Sequence, residues 1–224
     1  TLSEQSEAPK MLGFSAISEL QAGAYVKDGN LILHLNNHTE YLMHIQDLAL
    51  PGKHNLYNSM ATALAARASE IKNDYIRESL MSFEGVAHRL EPVRTLDGVQ
   101  YINDSKATNI NAAWYALDSF HGPMTLILGG RDKGNDYKEL EAQIREKVHT
   151  IICIGEARKA IREQLGEAAP NLIEAESMKE AVKLARKNAK RGEIVLLSPA
   201  CASFDMFNNY EHRGDVFKEA VLEL

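Results

Sequence analysis

The feature that most constrains this chain is a set of apolar runs that do not alternate: Val99–Ile102, Met124–Leu128, His149–Ile154 and Ile194–Leu197. A strand with one wet face alternates polar and apolar residues, so continuous runs of this length belong to strands covered on both sides. Between them lie segments with helical spacing, Thr108–Phe120, Asp136–Val148, Glu156–Leu165 and Ser177–Arg191, together with a shorter run, Asn171–Ala175. In the first of these helices Ile110, Ala113, Trp114 and Leu117 share a face. The alternation predicts an α/β fold with a doubly wound, mostly parallel sheet from about Val99 to the C-terminus. In such sheets ligands bind outside the carboxyl ends of the strands. Three of the runs end there in polar loops: Asn103-Asp104-Ser105-Lys106-Ala107-Thr108-Asn109, Gly129-Gly130-Arg131-Asp132-Lys133-Gly134 and Ser198-Pro199-Ala200-Cys201-Ala202-Ser203-Phe204-Asp205.

The first ninety or so residues follow another pattern. Ala24–Leu33 reads as a hairpin turned at Asp28-Gly29-Asn30. Two helices follow, Asn55–Lys72 with Leu56, Met60, Leu64, Ala68 and Ile71 on one stripe, and the shorter Asp74–Phe83. His34, His38 and His44 read as surface hairpin residues, and no metal is assigned to them. Pro interrupts the pattern at Glu91-Pro92, which sets the expected domains at 1–92 and 93–224. The polar Thr1–Lys10 reads as the start of a fragment of a longer polypeptide.

Composition excludes some classes. With 45% hydrophobic residues the 224-residue chain has material for a sizeable core, and a formal net charge of −6 gives no electrostatic reason to expect nucleic acid. No apolar stretch approaches a membrane span and no signal peptide opens the chain. Cys153 and Cys201 fall in or just after predicted core strands, as reduced thiols of a cytoplasmic protein would. For Cys201 a small buried side chain is favoured over a catalytic thiol.

Each polar motif has a structural and a functional reading. Ser105, Thr108 and Asn109 suit a helix cap, while the free N–H groups of the same helix start attract a carboxylate or phosphate. Asn55 and Asn58, three apart, share a helix face and suit either capping and solvation or the edge of a purine. His88-Arg89 is either a surface pair or an arginine aimed at a phosphate or ribose.

Taken in order, Gly52-Lys53-His54-Asn55-Leu56-Tyr57-Asn58, His88-Arg89-Leu90-Glu91, the Asp104–Asn109 string, Leu128–Lys133, Leu197–Asp205 and Phe207-Asn208-Asn209-Tyr210-Glu211-His212-Arg213-Gly214 resemble the Mur ligases, and among them the branch that adds D-glutamate. The resemblance runs from about Phe14 to the end. The Asp-Ser-Lys-Ala-Thr-Asn string discriminates, because sister ligases carry other sequences there. It implies a Rossmann-like C-terminal domain preceded by part of an α/β ATP-binding central domain. The implied reaction is ATP-dependent: the carboxylate of UDP-N-acetylmuramoyl-L-alanine becomes an acyl phosphate, and the amine of D-glutamate attacks it to form an amide of the peptidoglycan precursor. The implied enzyme is a cytoplasmic monomer acting in cell-wall synthesis, without nucleic-acid or membrane partners.

The same resemblance places Asn55, Asn58, Arg89, Asp104 and Lys106 at the nucleotide, and Ser105, Thr108, Lys133, Ser203, Phe204 and Tyr210 at the incoming amino acid. Tyr210 stands where relatives often have phenylalanine, and Arg131 departs from their glycine- or acid-rich loop. A dicarboxylate needs a cation and directed neutral donors, which Lys133, Thr108 and Ser203 supply. No Gly-x-x-x-x-Gly-Lys-Ser/Thr phosphate loop occurs in the chain. That loop and the Mg2+ ligands are expected ahead of Thr1, so no catalytic or metal-binding residue is assigned and the fragment alone is expected to be inactive. A sister amide ligase of the folylpolyglutamate type, a non-catalytic nucleotide-binding module and a pure interaction domain are the competing readings.

Overall fold

A computed structural model describes residues 11–50 and 52–224. Pro51 and the polar opening 1–10 lie outside the described residues. The chain divides into two compact units between Glu84 and Gly85.

In the first unit, β1 (Gly13–Ser15), β2 (Gly23–Lys27), β3 (Asn30–Leu35) and β4 (His38–His44) form one sheet in sequence order, with β1 parallel to β2 and the rest antiparallel. Asp28 and Gly29, both at positive φ, make the expected two-residue turn, with Lys27 paired to Asn30. A second such turn, Asn36-Asn37, leads into β4, so His38 and His44 lie on a further strand. Helix α1 (Lys53–Ala68) buries Met60, Ala63 and Leu64 against Leu31, Leu33, Leu42 and Met43, and α2 (Asn73–Ser82) adds Ile76. α1 is shorter than its stripe. The Ile71 amide donates to Ala66 O and the Glu70 amide to Arg67 O, with Glu70 left-handed at φ 63, so a Schellman cap ends the helix and leaves Ile71 outside it. Glu40 of β4 then ties the layers: it accepts from Arg67 Nε and Nη2, both at 3.2 Å, and from Asn73 Nδ2 at 2.7 Å.

The second unit holds a six-stranded sheet in the order β5-β6-β10-β7-β8-β9. The strands are β5 (Glu91–Leu96), β6 (Val99–Asn103), β7 (Met124–Gly129), β8 (Val148–Ile154), β9 (Asn171–Glu174) and β10 (Ile194–Leu197). Every pairing is parallel except β5 with β6. Helices α3 (Ile110–Asp118), α4 (Glu141–Lys147), α5 (Arg158–Leu165), α6 (Met178–Asn188) and α7 (Tyr210–Leu222) cover it. Alternate strand residues feed two cores: Ile102, Leu126, Ile151 and Leu196 meet α3, α4 and α5, while Tyr101, Ile127, Ile152 and Val195 meet α6 and α7. Burial on both faces is why these strands lack alternation.

Glu91-Pro92, read from sequence as a boundary, lies inside β5. Proline is tolerated there because β5 is an edge strand with a register shift beside Pro92. The segment Asp136–Val148 opens as a 3-10 turn, Tyr137–Leu140, capped by Asp136, before α4 begins. Among the described residues no helix is long and apolar enough to cross a membrane.

Candidate functional site

Strands β6, β10 and β7 are neighbours: β6 and β10 finish level, Leu197 pairing with Asn103, and β7 runs on to Gly129, two residues past Ile127, the other partner of Leu197. The three polar loops therefore leave adjacent strands at one edge of the second unit.

The first loop is fixed by buried bonds. The Asp104 amide donates to Leu197 O at 2.8 Å, and its carboxylate accepts from Leu90 N at 3.2 Å and from Ser198 Oγ at 3.0 Å. Burial pushes the Asp104 carboxyl up to about 7, although the Ser198 hydroxyl, the Leu90 amide and the charges of Arg89 and Arg213 all favour the carboxylate. Each oxygen keeps a further lone pair for a ligand hydroxyl. His88 and Leu90, on either side of Arg89, both have positive φ, 65 and 45, and this tight winding aims Leu90 N at Asp104 while Arg89 stays exposed. His88 is buried, its Nδ1 3.1 Å from Asn103 Nδ2 and its amide donating to Glu91 Oε2. Lys106 is exposed, with Nζ 3.9 Å from the centroid of the Tyr210 ring.

Ser105 stands apart from the other residues expected in the substrate pocket. It is fully buried; its hydroxyl donates to Tyr210 O at 2.8 Å and accepts from Arg213 Nε at 2.9 Å, so it holds α7 to the loop. Arg213 also donates to Ser105 O at 2.7 Å and to Cys201 O at 3.0 Å, joining the first loop to the third. Burial lowers its pKa to about 10, which leaves it charged at neutral pH. Arg213 lies within the last of the motifs that carry the resemblance, where its only signal in the sequence is an arginine beside a glycine. Gly214 is needed for this packing, because a Cβ there would collide with His88 Nδ1 and come within 3.0 Å of Asn103 Nδ2.

Helix α3 is capped by Asn109, whose side chain accepts from Ala112 N at 2.9 Å, so Ser105 and Thr108 are not the caps. Thr108 is half-buried one residue ahead of that cap.

In the second loop Gly130 has φ 141, and a Cβ would collide with Ala202 O. Its absence lets the Arg131 amide donate to Ala202 O at 2.9 Å, an antiparallel bridge between the second and third loops. Lys133 is exposed and forms no ion pair with any other described residue. Ser203 is buried on the third loop, and Phe204 beside it is 60% exposed. Asp104, Lys106, Thr108, Lys133, Ser203, Phe204, Tyr210 and Arg89 thus all belong to three adjoining loops and their flanks. Asn55 and Asn58 lie on α1 of the first unit, where Asn58 Nδ2 is 3.1 Å from His54 Nε2. The cap of α1 is Gly52, not Asn55.

The family profile described as "Mur ligase, glutamate ligase domain" matches residues 88–201. UDP-N-acetylmuramoylalanine--D-glutamate ligase of Salinibacter ruber is 52% identical over 200 residues, covering 89% of this chain and 44% of that protein. The protein of the same name from Christiangramia forsetii is 47% identical over 213 residues, 95% of this chain and 48% of that protein. The chain spans about half the length of the curated relatives it matches. MurF from Acinetobacter baumannii shares the fold with a TM-score of 0.67 at 16% identity, over 95% of this chain and 47% of that one. Folylpolyglutamate synthase of Mycobacterium tuberculosis does so with a TM-score of 0.61 at 15% identity, over 88% of this chain and 46% of that one. With a profile match over half its length on the unit that carries the three loops, this chain belongs to the Mur ligase family.

Proposed function

We propose that this chain is the C-terminal half of an ATP-dependent ligase that joins D-glutamate to UDP-N-acetylmuramoyl-L-alanine, with residues 85–224 as the amino-acid-binding domain and residues 1–84 as the end of the ATP-binding domain. The observation that carries the reading is the exposed Lys133, without an ion-pair partner among the described residues, on a loop bridged to the one that bears Ser203. A surface lysine is ordinarily solvated and adaptable, but here its loop is bonded in place, so its charge is available for a carboxylate without reorganisation. Thr108 and Ser203 add neutral donors that orient a second carboxylate, and the exposed Phe204 and the Tyr210 ring form walls.

On the nucleotide side, Arg89 and Lys106 present charge to phosphates. Asp104, buried and near its titration point at neutral pH, accepts from ribose hydroxyls. On the first unit, Asn55 and Asn58 are the residues that the family resemblance assigns to adenine. When bound, ATP supplies the phosphoryl group that activates the acceptor carboxylate, and the Mg2+ that accompanies it takes ligands from the remainder of the ligase. The reading includes a cytoplasmic monomer.

The test is ligation by the complete enzyme with UDP-N-acetylmuramoyl-L-alanine, ATP and either D- or L-glutamate, beside a folate acceptor with L-glutamate. Amide formation with the D-isomer on the nucleotide-linked acceptor is expected. Activity only toward the folate acceptor would assign the chain to the folylpolyglutamate type instead.

A further inference from the structure

The second loop carries Lys133 but is not held by Lys133. Directly beneath it the hydroxyl of Tyr137, a buried residue at the start of the following 3-10 turn, donates to Asp132 Oδ1 at 3.3 Å and lies 3.0 Å from Cys201 Sγ. Either group can donate in the Tyr137–Cys201 contact. Asn135 Nδ2 lies 3.4 Å from the same oxygen and donates to Ala200 O at 3.1 Å. Asp132 Oδ1 also accepts from the amides of Gly134 and Asn135, at 3.2 and 3.1 Å. From α5, Gln164 accepts from Tyr137 N at 2.8 Å and donates to Asn135 O.

Apart from the two Gln164 bonds, which tie the turn to α5, each bond of this network either closes the turn around Lys133 or crosses to the third loop. The crossing reaches Ala200, which is left-handed at φ 57, a conformation that an L-residue keeps only when its surroundings impose it. Ser203 lies three residues further on. None of Tyr137, Asn135 and Cys201 is exposed, and burial raises the pKa of both the phenol and the thiol, so both stay protonated as hydrogen-bond donors and not as nucleophiles.

We infer that Tyr137, Cys201, Asn135 and Asp132 form a latch that fixes the Lys133 turn against the Ser203 loop, and that these are positioning residues for recognition of the amino-acid substrate. The inference rests on the proposed reading of that site as the one for D-glutamate. A dicarboxylate spans a fixed distance, and a cation on one loop with a hydroxyl on the next recognises it only while the two loops keep their separation. Losing one latch bond loosens the pair without removing any group that touches substrate. The signature is therefore a change confined to one substrate.

In the complete ligase, Tyr137→Phe and Cys201→Ala are expected to raise KM for D-glutamate about five- to tenfold, the weight of one buried hydrogen bond. KM for ATP should not change, and Tm should fall by only a few degrees. Cys201→Ser, which keeps a donor of similar size, should restore most of the affinity. Lys133→Ala serves as the reference for the site itself. If Lys133→Ala leaves KM for D-glutamate unchanged, the reading of the site fails. If Lys133→Ala weakens D-glutamate while Tyr137→Phe and Cys201→Ala do not, the latch fails and the site reading stands. Should Tyr137→Phe not fold, the cysteine pair decides. Equal losses for all three substrates in Cys201→Ala and Cys201→Ser would reduce the network to a core contact and overturn the assignment.

Discussion

At the scale of single residues, the site is held by buried polar groups. Asp104 is the clearest titrating case. Its folded-state carboxyl is pushed up to about 7, whereas an unfolded chain releases that proton near about 3.9. Between those values the folded form retains a proton that the unfolded form has lost, so stability falls as pH rises through this window and levels off above it. Asp104→Asn abolishes that titration. Denaturant unfolding of the parent and the variant at pH 4 and pH 8 should show the variant gaining on the parent by on the order of 4 kcal/mol at the higher pH; a gap independent of pH would mean that the carboxyl ionises normally. Arg213 makes a different demand. Its Nε, Nη1 and Nη2 each serve a separate acceptor, so Arg213→Lys should rescue little of the loss in Arg213→Ala, which leaves buried carbonyls unpaired and costs about 3–5 kcal/mol. Thermal unfolding of the two variants decides this. Neither role was legible in the sequence: Asp104 was placed by its motif, but its bond from Ser198 and the arginine that reaches Ser105 join residues 94 and 108 positions apart.

At the scale of elements, α7 is the one that sequence periodicity passed over. Its inward face carries Arg213 and Gly214 among Phe217, Ala220 and Val221, so the apolar stripe is broken where the helix meets the site. Gly214→Ala adds one methyl against His88 and Asn103 and should destabilise the second unit by about 2 kcal/mol, seen as a lower Tm; an unchanged Tm would show that His88 moves aside freely. In the first unit the tie from β4 to α1 and α2 runs through Glu40, whose pKa is lowered by the hydrogen bonds from Arg67 and then Asn73. This contribution is present above the unfolded value, about 4.3, and is lost as pH falls through the lower folded value. Glu40→Gln should therefore cost about 1–2 kcal/mol at pH 7 and less at pH 3. Equal losses at both pH values in urea titrations would contradict the ion pair. The hairpin of β2 and β3 was legible because Asp28-Gly29 marks its turn. β1 and β4 were not: the former has three residues, and the latter carries histidines and a register shift in its pairing with β3.

At the scale of the whole molecule, the second unit has its own complete sheet and two cores of its own. Residues 85–224 expressed alone are expected to unfold in one cooperative transition, and a broad, non-cooperative melt in calorimetry would count against an independent unit. The parallel sheet and the edge that bears the loops were readable from continuous apolar runs and their polar ends. The strand order was not, since periodicity says nothing about which strands are neighbours. That order has a consequence for how the protein is made. β10 enters the sheet between β6 and β7, although it is synthesised after β9. A nascent chain emerging from the ribosome therefore carries a cleft down the middle of its sheet, with hydrogen-bonding edges on both sides, until the last strand arrives. The loops of β6 and β7 have no common frame before then. Binding competence should thus appear abruptly once residues 194–197 have been added, and a chain stalled before Ile194 would offer two open strand edges to other chains and no site to any ligand.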